Sequence, residues 1–283
     1  MASSLAENVL SGIAKKPQMK AGDYIGEDGL LYCGKCHTRK EKELNWFGTG
    51  TRTVGIMCSC ESKALEARKE QEQKEEEMQR LRRARISSMM DETFRTATFD
   101  NYRKRDGNEK HLGIAQNYCK EFKSMYEKNQ GLLFYGSVGT GKSYTAACIA
   151  NYLLDHNTSV VMTSFVRILQ EMQGFDREKE EAFSNRLNSV RLLIIDDLGA
   201  ERSTDYALEK VYGIIDSRYR AKKPLILTTN LTLNQMQSVS DIRYERIYDR
   251  IFEMCYPLKF EGLSWRKREA AQRYEETRRL LEG

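Results

Sequence analysis

Two stretches of this 283-residue chain combine residue types at spacings that could do chemistry. In the first, Cys33-Gly-Lys-Cys36-His37 is followed by Cys58-Ser-Cys60, which crowds four of the seven cysteines into one short segment. Cys33-x-x-Cys36 closes a tight loop of the kind that places two thiolates on one metal ion. Cys58-x-Cys60 offers a second pair after the turn-rich "NWFGTGTRTVGIM". Four soft ligands suit Zn²⁺. The C-x-C half is narrower than the usual C-x-x-C, which leaves His37 as a replacement ligand for Cys58 or Cys60. A redox dithiol and unligated thiols are the competing readings. A disulfide staple is disfavoured, because the opening "MASSLAENVLSGIAKKP" has no basic n-region and Glu7 interrupts its apolar positions, so a cytoplasmic chain with reduced thiols is expected.

The second stretch is Gly136-Ser-Val-Gly139-Thr140-Gly141-Lys142-Ser143, which fits G-x-x-x-x-G-K-[ST] at every fixed position, with an apolar run before it and an amphipathic helical pattern after it. Its glycines let successive backbone N–H groups face a polyphosphate such as that of ATP, and the helix N-terminus adds the positive end of a dipole. Lys142 would reach the β- and γ-phosphates, the Ser143 hydroxyl would ligate Mg²⁺, and Thr140 and Tyr144 complete the expected nucleotide contacts. A glycine-rich turn with an incidental lysine is the bland alternative.

"RLLIIDDLGAE" delivers Asp196 and Asp197 at the C-terminal end of an apolar strand, where open α/β sheets bind ligands. Side chains alternate along a strand, so Asp196 is assigned to Mg²⁺ and Asp197 to polarising the attacking water, with Glu201 as a rival base. A solvated strand end is the alternative.

The elements that must position these groups follow from composition. Hydrophobic residues make up 40% and charged residues 31%, with three prolines, as in ordinary globular chains. No apolar run approaches about 18 residues, which excludes a membrane span. A formal charge of +5 is too mild to identify a nucleic-acid binder by itself. Three zones emerge: residues 1–60, with a short amphipathic start (Leu5, Val9, Leu10, Ile13) and the cysteines; residues 61–90, a charged helical linker; and residues 91–283. In the linker "ESKALEARKEQEQKEEEMQRLRRARI" opposite charges fall at i,i+3 and i,i+4, and Leu65, Met78, Leu81 and Ile86 are too sparse for a coiled-coil seam. Beyond it, apolar strands alternate with helical patterns, an α/β arrangement with a parallel sheet. The strands are placed at 131–135, 159–164, 191–196, 224–229 and 256–261. Cys119, Cys148 and Cys255 sit in helical apolar contexts and read as core.

The phosphate loop, the acidic pair and "LILTTN" ending in Asn230 together resemble the AAA+ ATPases. More narrowly, "IIDDLGAE", "LILTTNLT" and "RYERIYDRIFE" look like the DnaC/DnaI/IstB branch, and a cysteine cluster ahead of them resembles the replicative helicase loaders of that branch, including phage versions. The resemblance covers roughly residues 90–270 and implies a five-stranded parallel AAA+ sheet. It implies that Asn230 is the sensor-1 residue, that Arg250 is the arginine finger reaching a neighbouring subunit's nucleotide, with Arg246 as its competitor, and that Arg266 is sensor 2. An arginine suits such roles through its permanent charge and planar fork; a surface salt bridge is the alternative for each.

What the resemblance implies about function is a slow, partner- or DNA-stimulated ATPase that loads a hexameric replicative helicase onto single-stranded DNA and self-associates through its AAA+ part. The zinc module would grip the helicase, although Trp46, Phe47 and the lysines of "HTRKEKE" suit DNA equally. Tyrosines and arginines between Tyr206 and Tyr244 are candidates for stacking and backbone pairing with the strand. An IstB-like regulator of transposition and a nucleotide-gated adaptor with negligible turnover are the alternatives. Two departures bear on them: Asp197 stands where many AAA+ proteins carry Glu, and the chain after Asn230 has room for little more than one lid helix. "FVRILQEMQGFDREKEEAFSNRLNSV" sits where initiators and loaders insert an extra helix, or is an ordinary crossover.

Overall fold

The computed structural model describes residues 17–45, 50–103, 108–200, 204–262 and 264–282, so the helical start at Leu5–Ile13, Trp46, Phe47 and Glu201 lie outside the described residues. The chain divides into two compact units, residues 1–79 and 80–283.

In the first unit, β1 (Tyr24–Ile25) pairs antiparallel with β2 (Leu31–Tyr32), and β3 (Glu41–Asn45) with β4 (Thr51–Gly55). Its interior is small, with Leu30, Leu31, Val54, Cys33 and Cys58 buried. The buried cation Lys40 pairs with Asp23 at 2.7 Å, which satisfies a charge that would otherwise be costly to enclose. Helix α1 (Ser59–Ser87) follows and buries no residue, as its charge density requires; the division between the units falls inside it.

The second unit is built on a five-stranded parallel sheet of order β6-β7-β8-β5-β9. Its strands are β5 (Gly131–Gly136), β6 (Val160–Ser164), β7 (Leu192–Leu198), β8 (Leu225–Thr229) and β9 (Cys255–Phe260), at the five places the apolar runs indicate. β5 to β8 are covered on both faces, which is why they read as continuous apolar runs, while the edge strand β9 is half exposed. Leu132, Phe134, Leu192 and Ile194 pack against α2 (Glu109–Lys120) and α4 (Lys142–Asp155), with the short α3 (Phe122–Glu127) alongside. Leu133, Leu193, Ile195 and Leu227 face α5 (Phe165–Met172), α6 (Arg177–Ser189), α7 (Asp205–Arg220) and α9 (Ile242–Met254). The short α8 (Leu233–Gln237) opens on a capping box, Thr232 with Gln235.

The polar stretch between β6 and β7 reads as one helix but forms two. Gly174 adopts a left-handed φ of 82° and Asp176 caps α6 through the Lys179 N–H. Cys255 is buried as expected, yet it opens β9 rather than sitting in a helix, with its thiol on the Leu225 carbonyl. Arg218, fully buried, donates to the carbonyls of Val190, Arg191 and Pro224 and so ties together the starts of β7 and β8. Among the described residues one helix follows β9, α10 (Trp265–Glu282), and it buries no residue.

Candidate functional site

At the C-terminal end of β5 the chain turns through Gly136 and Gly139 into α4. Both glycines are required: at Gly136 (φ 125°) a Cβ would lie 2.2 Å from the Phe260 carbonyl oxygen, and at Gly139 (φ 79°) 2.1 Å from Ser264 Oγ. Thr140 Oγ1 bonds the Ser137 carbonyl and tightens the loop. Lys142, 5% exposed, donates to the carbonyls of Gly136 and Ser137 at 2.8 Å and to Asn230 Oδ1 at 2.9 Å. Burial pulls its pKa below that of a free lysine, and Arg266 adds to this, while Asp197 and Asp196 oppose it. The N-terminus of the 14-residue α4 points its free N–H groups into the same loop.

The acidic pair departs from the simple alternation of a strand. Ile195 pairs with Leu227 and Leu198 with Thr229, so both Asp196 and Asp197 stand opposite Thr228 in a bulge. Asp197 takes a left-handed φ of 54°, a conformation aspartate tolerates better than most residues. Its N–H donates to Thr228 Oγ1 at 3.0 Å, and that hydroxyl donates to Asp196 Oδ1 at 2.5 Å. Burial raises the Asp196 pKa against the bonds it receives from Thr228 and Ser143. The side chains of Ser143 and Asp196 thus form an adjacent pair of hard oxygen donors, which fits a small divalent cation.

These groups border a cavity of about 660 Å³, the size of a small-molecule site. Gly139, Gly141, Lys142, Ser143, Tyr144, Asp197, Asn230 and Arg266 all line it. Gly136, Thr140 and Asp196 are not among the residues that line it. The other side of the mouth comes from residues with no motif to mark them: Phe94, Asn101, Tyr102, Arg103, Trp265 and Glu269. Helix α10 is fastened there by the Trp265 N–H on the Gly139 carbonyl at 2.8 Å and by the Arg103–Glu269 ion pair at 2.9 Å. Arg250 is not brought to this cavity. It bonds Asp216 Oδ1 at 2.9 Å and the Tyr212 hydroxyl at 3.0 Å on α7, and its guanidinium lies over the rings of Tyr212 and Tyr219. Arg246 is exposed on the same helix.

In the first unit the Sγ atoms of Cys33, Cys36, Cys58 and Cys60 all lie within 4.8 Å of one another. Thiolates about 2.3 Å from a tetrahedral zinc would stand about 3.8 Å apart, so the cluster fits such an ion. The Cys33–Cys60 and Cys58–Cys60 separations are 3.6 and 3.3 Å. Backbone N–H groups of Cys36 and Lys35 point at Cys33 and hold its thiol pKa down, and the Thr38 hydroxyl and N–H bring Cys36 down to about 5. His37 turns away from the sulfurs: its Nδ1 lies 3.3 Å from the Tyr24 hydroxyl.

Relatives share this architecture. The chain is 31% identical over 165 residues to the replicative helicase loader DnaC of Buchnera aphidicola subsp. Acyrthosiphon pisum, covering 56% of this chain and 65% of that protein. It is 29% identical over 213 residues to the phage-like element PBSX protein XkdC of Bacillus subtilis, 71% of this chain and 72% of that one. Among solved structures, a crystal structure of DnaI superimposes with a TM-score of 0.53 at 25% identity, over 61% of this chain and 95% of that one. The model of the IstB-like ATP binding protein family matches residues 52–273, a span that takes in the phosphate loop, the acidic bulge, Asn230 and Arg266, and this chain belongs to that family.

Proposed function

We propose that this protein is an ATP-dependent loader of the replicative DNA helicase onto single-stranded DNA, a cytoplasmic ATPase that uses nucleotide as a switch. The observation that carries the reading is the convergence of Lys142, Asn230, Asp197 and Arg266 on one cavity beside the adjacent Ser143 and Asp196. Likeness to DnaC supports the loader role.

In this reading the N–H groups of the Gly136–Gly141 loop and of α4 hold the phosphates of ATP, Tyr144 lies against the nucleotide, and Lys142 exchanges its carbonyl partners for phosphate oxygens. Ser143 and Asp196 hold Mg²⁺, which supplies charge neutralisation at the phosphates when bound. Asp197 accepts a proton from the attacking water, Asn230 orients that water, and Arg266 senses the nucleotide from α10. One methylene shorter than Glu, Asp197 holds water less closely, consistent with slow turnover. Arg250 acts in trans as the finger once subunits self-associate.

Cys33, Cys36, Cys58 and Cys60 hold Zn²⁺ in a unit that grips the hexameric helicase. The exposed apolar side chains of Met19, Tyr24, Ile25 and Met57 around that unit support a protein-binding surface. The test is light scattering after size exclusion, with the full chain mixed with the hexameric helicase of the same genome in ATP, ADP or no nucleotide. A nucleotide-sensitive complex that also raises ATP turnover on single-stranded DNA is the expected result. Absence of a complex in all three conditions overturns the loader role and directs the search to a transposase.

A further inference from the structure

The bulge in β7 places two carboxylates opposite one residue of β8, and that residue is a threonine with no exposed surface. Its hydroxyl bonds both aspartates, accepting from the Asp197 backbone N–H at 3.0 Å and donating its one proton to Asp196 Oδ1 at 2.5 Å. Next along, Thr229 Oγ1 donates to the Leu198 carbonyl at 2.7 Å and closes the far side of the bulge. A left-handed non-glycine residue such as Asp197, at φ 54°, is strained and persists where its surroundings over-determine it. Here the Thr228 hydroxyl is the acceptor that the turned Asp197 N–H requires.

We propose that Thr228 is a positioning residue, which fixes the Asp196 carboxylate toward the cation position beside Ser143 and holds Asp197 turned into the nucleotide cavity. The inference rests on the ATPase reading and assigns a task to a strand residue that no phosphate-loop or acidic motif includes. Valine has the shape of threonine without the hydroxyl, so Thr228→Val removes both bonds and leaves the packing. Asp196 then loses the bond that fixes Oδ1 and keeps only its contact with Ser143, and Asp197 can relax toward an extended backbone that carries its carboxylate off the cavity.

The test uses the full chain with three readouts: binding of a fluorescent ATP analogue in EDTA, binding of Mn²⁺ to the β,γ-imido-ATP complex by electron paramagnetic resonance, and single-turnover ATP hydrolysis. Thr228→Val should keep the EDTA affinity within about threefold, weaken Mn²⁺ at least about tenfold and slow hydrolysis at least about tenfold. Thr228→Ser, which keeps the hydroxyl and loses only a methyl, should recover both to within about threefold. Wild-type Mn²⁺ affinity and rate in Thr228→Val overturn the proposal, as does a Thr228→Ser variant equally defective. Should the valine variant not fold, Thr228→Ala compared with Thr228→Ser asks the same question. A wild-type protein that binds nucleotide and Mn²⁺ without hydrolysing ATP overturns the ATPase reading alone, because the Mn²⁺ comparison still decides the role of Thr228.

Discussion

The ammonium of Lys142 lies 2.9 Å from Oδ1 of Asn230, a bond between residues 88 positions apart. It exists because β5 and β8 are neighbours in the sheet, with Tyr135 beside Thr229, so the loop leaving one strand meets the residue ending the other. The glycine-rich loop and the end of β8 are therefore joined directly across the cavity. A polyphosphate must compete for this ammonium with Asn230 and with the carbonyls of Gly136 and Ser137. Binding at Lys142 is thereby linked to the freedom of the Asn230 amide.

The two residues should separate binding from chemistry. Lys142→Ala is expected to weaken a fluorescent ATP analogue by about 100-fold, the loss of a charge-assisted contact worth about 2.7 kcal/mol. Asn230→Ala should bind within about threefold of wild type yet hydrolyse at least about tenfold more slowly in a single turnover, since in the proposed mechanism its amide orients the attacking water at the γ-phosphate while the loop and Lys142 supply most of the phosphate binding. Unchanged affinity in the lysine variant would sink the site assignment.

Arg250 gives a prediction about assembly. Its side chain is held by Asp216 and Tyr212 of its own chain, outside its own nucleotide cavity, so any catalytic contact is with a neighbour's nucleotide. Arg250→Ala should leave ATP binding intact and lower hydrolysis about tenfold or more at concentrations where the protein assembles. Mixing Arg250→Ala with Lys142→Ala subunits should restore part of the activity, because the first keeps a working nucleotide site and the second a working finger. No recovery in the mixture counts against a finger acting in trans.

What sequence made legible was whatever is written in consecutive residues. Four strands of the main sheet stand out because parallel strands covered on both faces must be apolar almost without interruption, whereas the edge strand β9, half exposed and carrying Lys259, shows only a broken apolar pattern. Glycine spacing reveals the phosphate loop, since few residue types survive where a Cβ would strike Phe260 or Ser264. The bulge at Asp196–Asp197 was hidden because it is made by pairing with Thr228, about thirty positions away, and alternation along one strand cannot reveal it. Arg103 and Glu269 were missed for the same reason: each is an ordinary surface charge until the fold brings them across the cavity mouth. The hairpins of the first unit, β1–β2 and β3–β4, are too short and too polar for a period-2 pattern to register.

The cysteine cluster yields the sharpest contest between two ligand sets. A spacing of C-x-C leaves His37 available as a fourth ligand, whereas the fold turns that imidazole toward Tyr24 and gathers four sulfurs instead. With few buried apolar side chains among the described residues of the first unit, a bound ion would replace much of a core, as structural zinc does in small modules. The purified chain should carry about one zinc per molecule. His37→Ala should keep that zinc, while Cys36→Ser and Cys58→Ser should each lower its retention against a chelator at least about tenfold. Chelation should open residues 17–61 to protease and leave binding of a fluorescent ATP analogue unchanged, because the described residues lining the cavity all belong to the second unit. Loss of zinc in His37→Ala with full retention in Cys58→Ser would mean that the imidazole, and not the narrow thiol pair, completes the site.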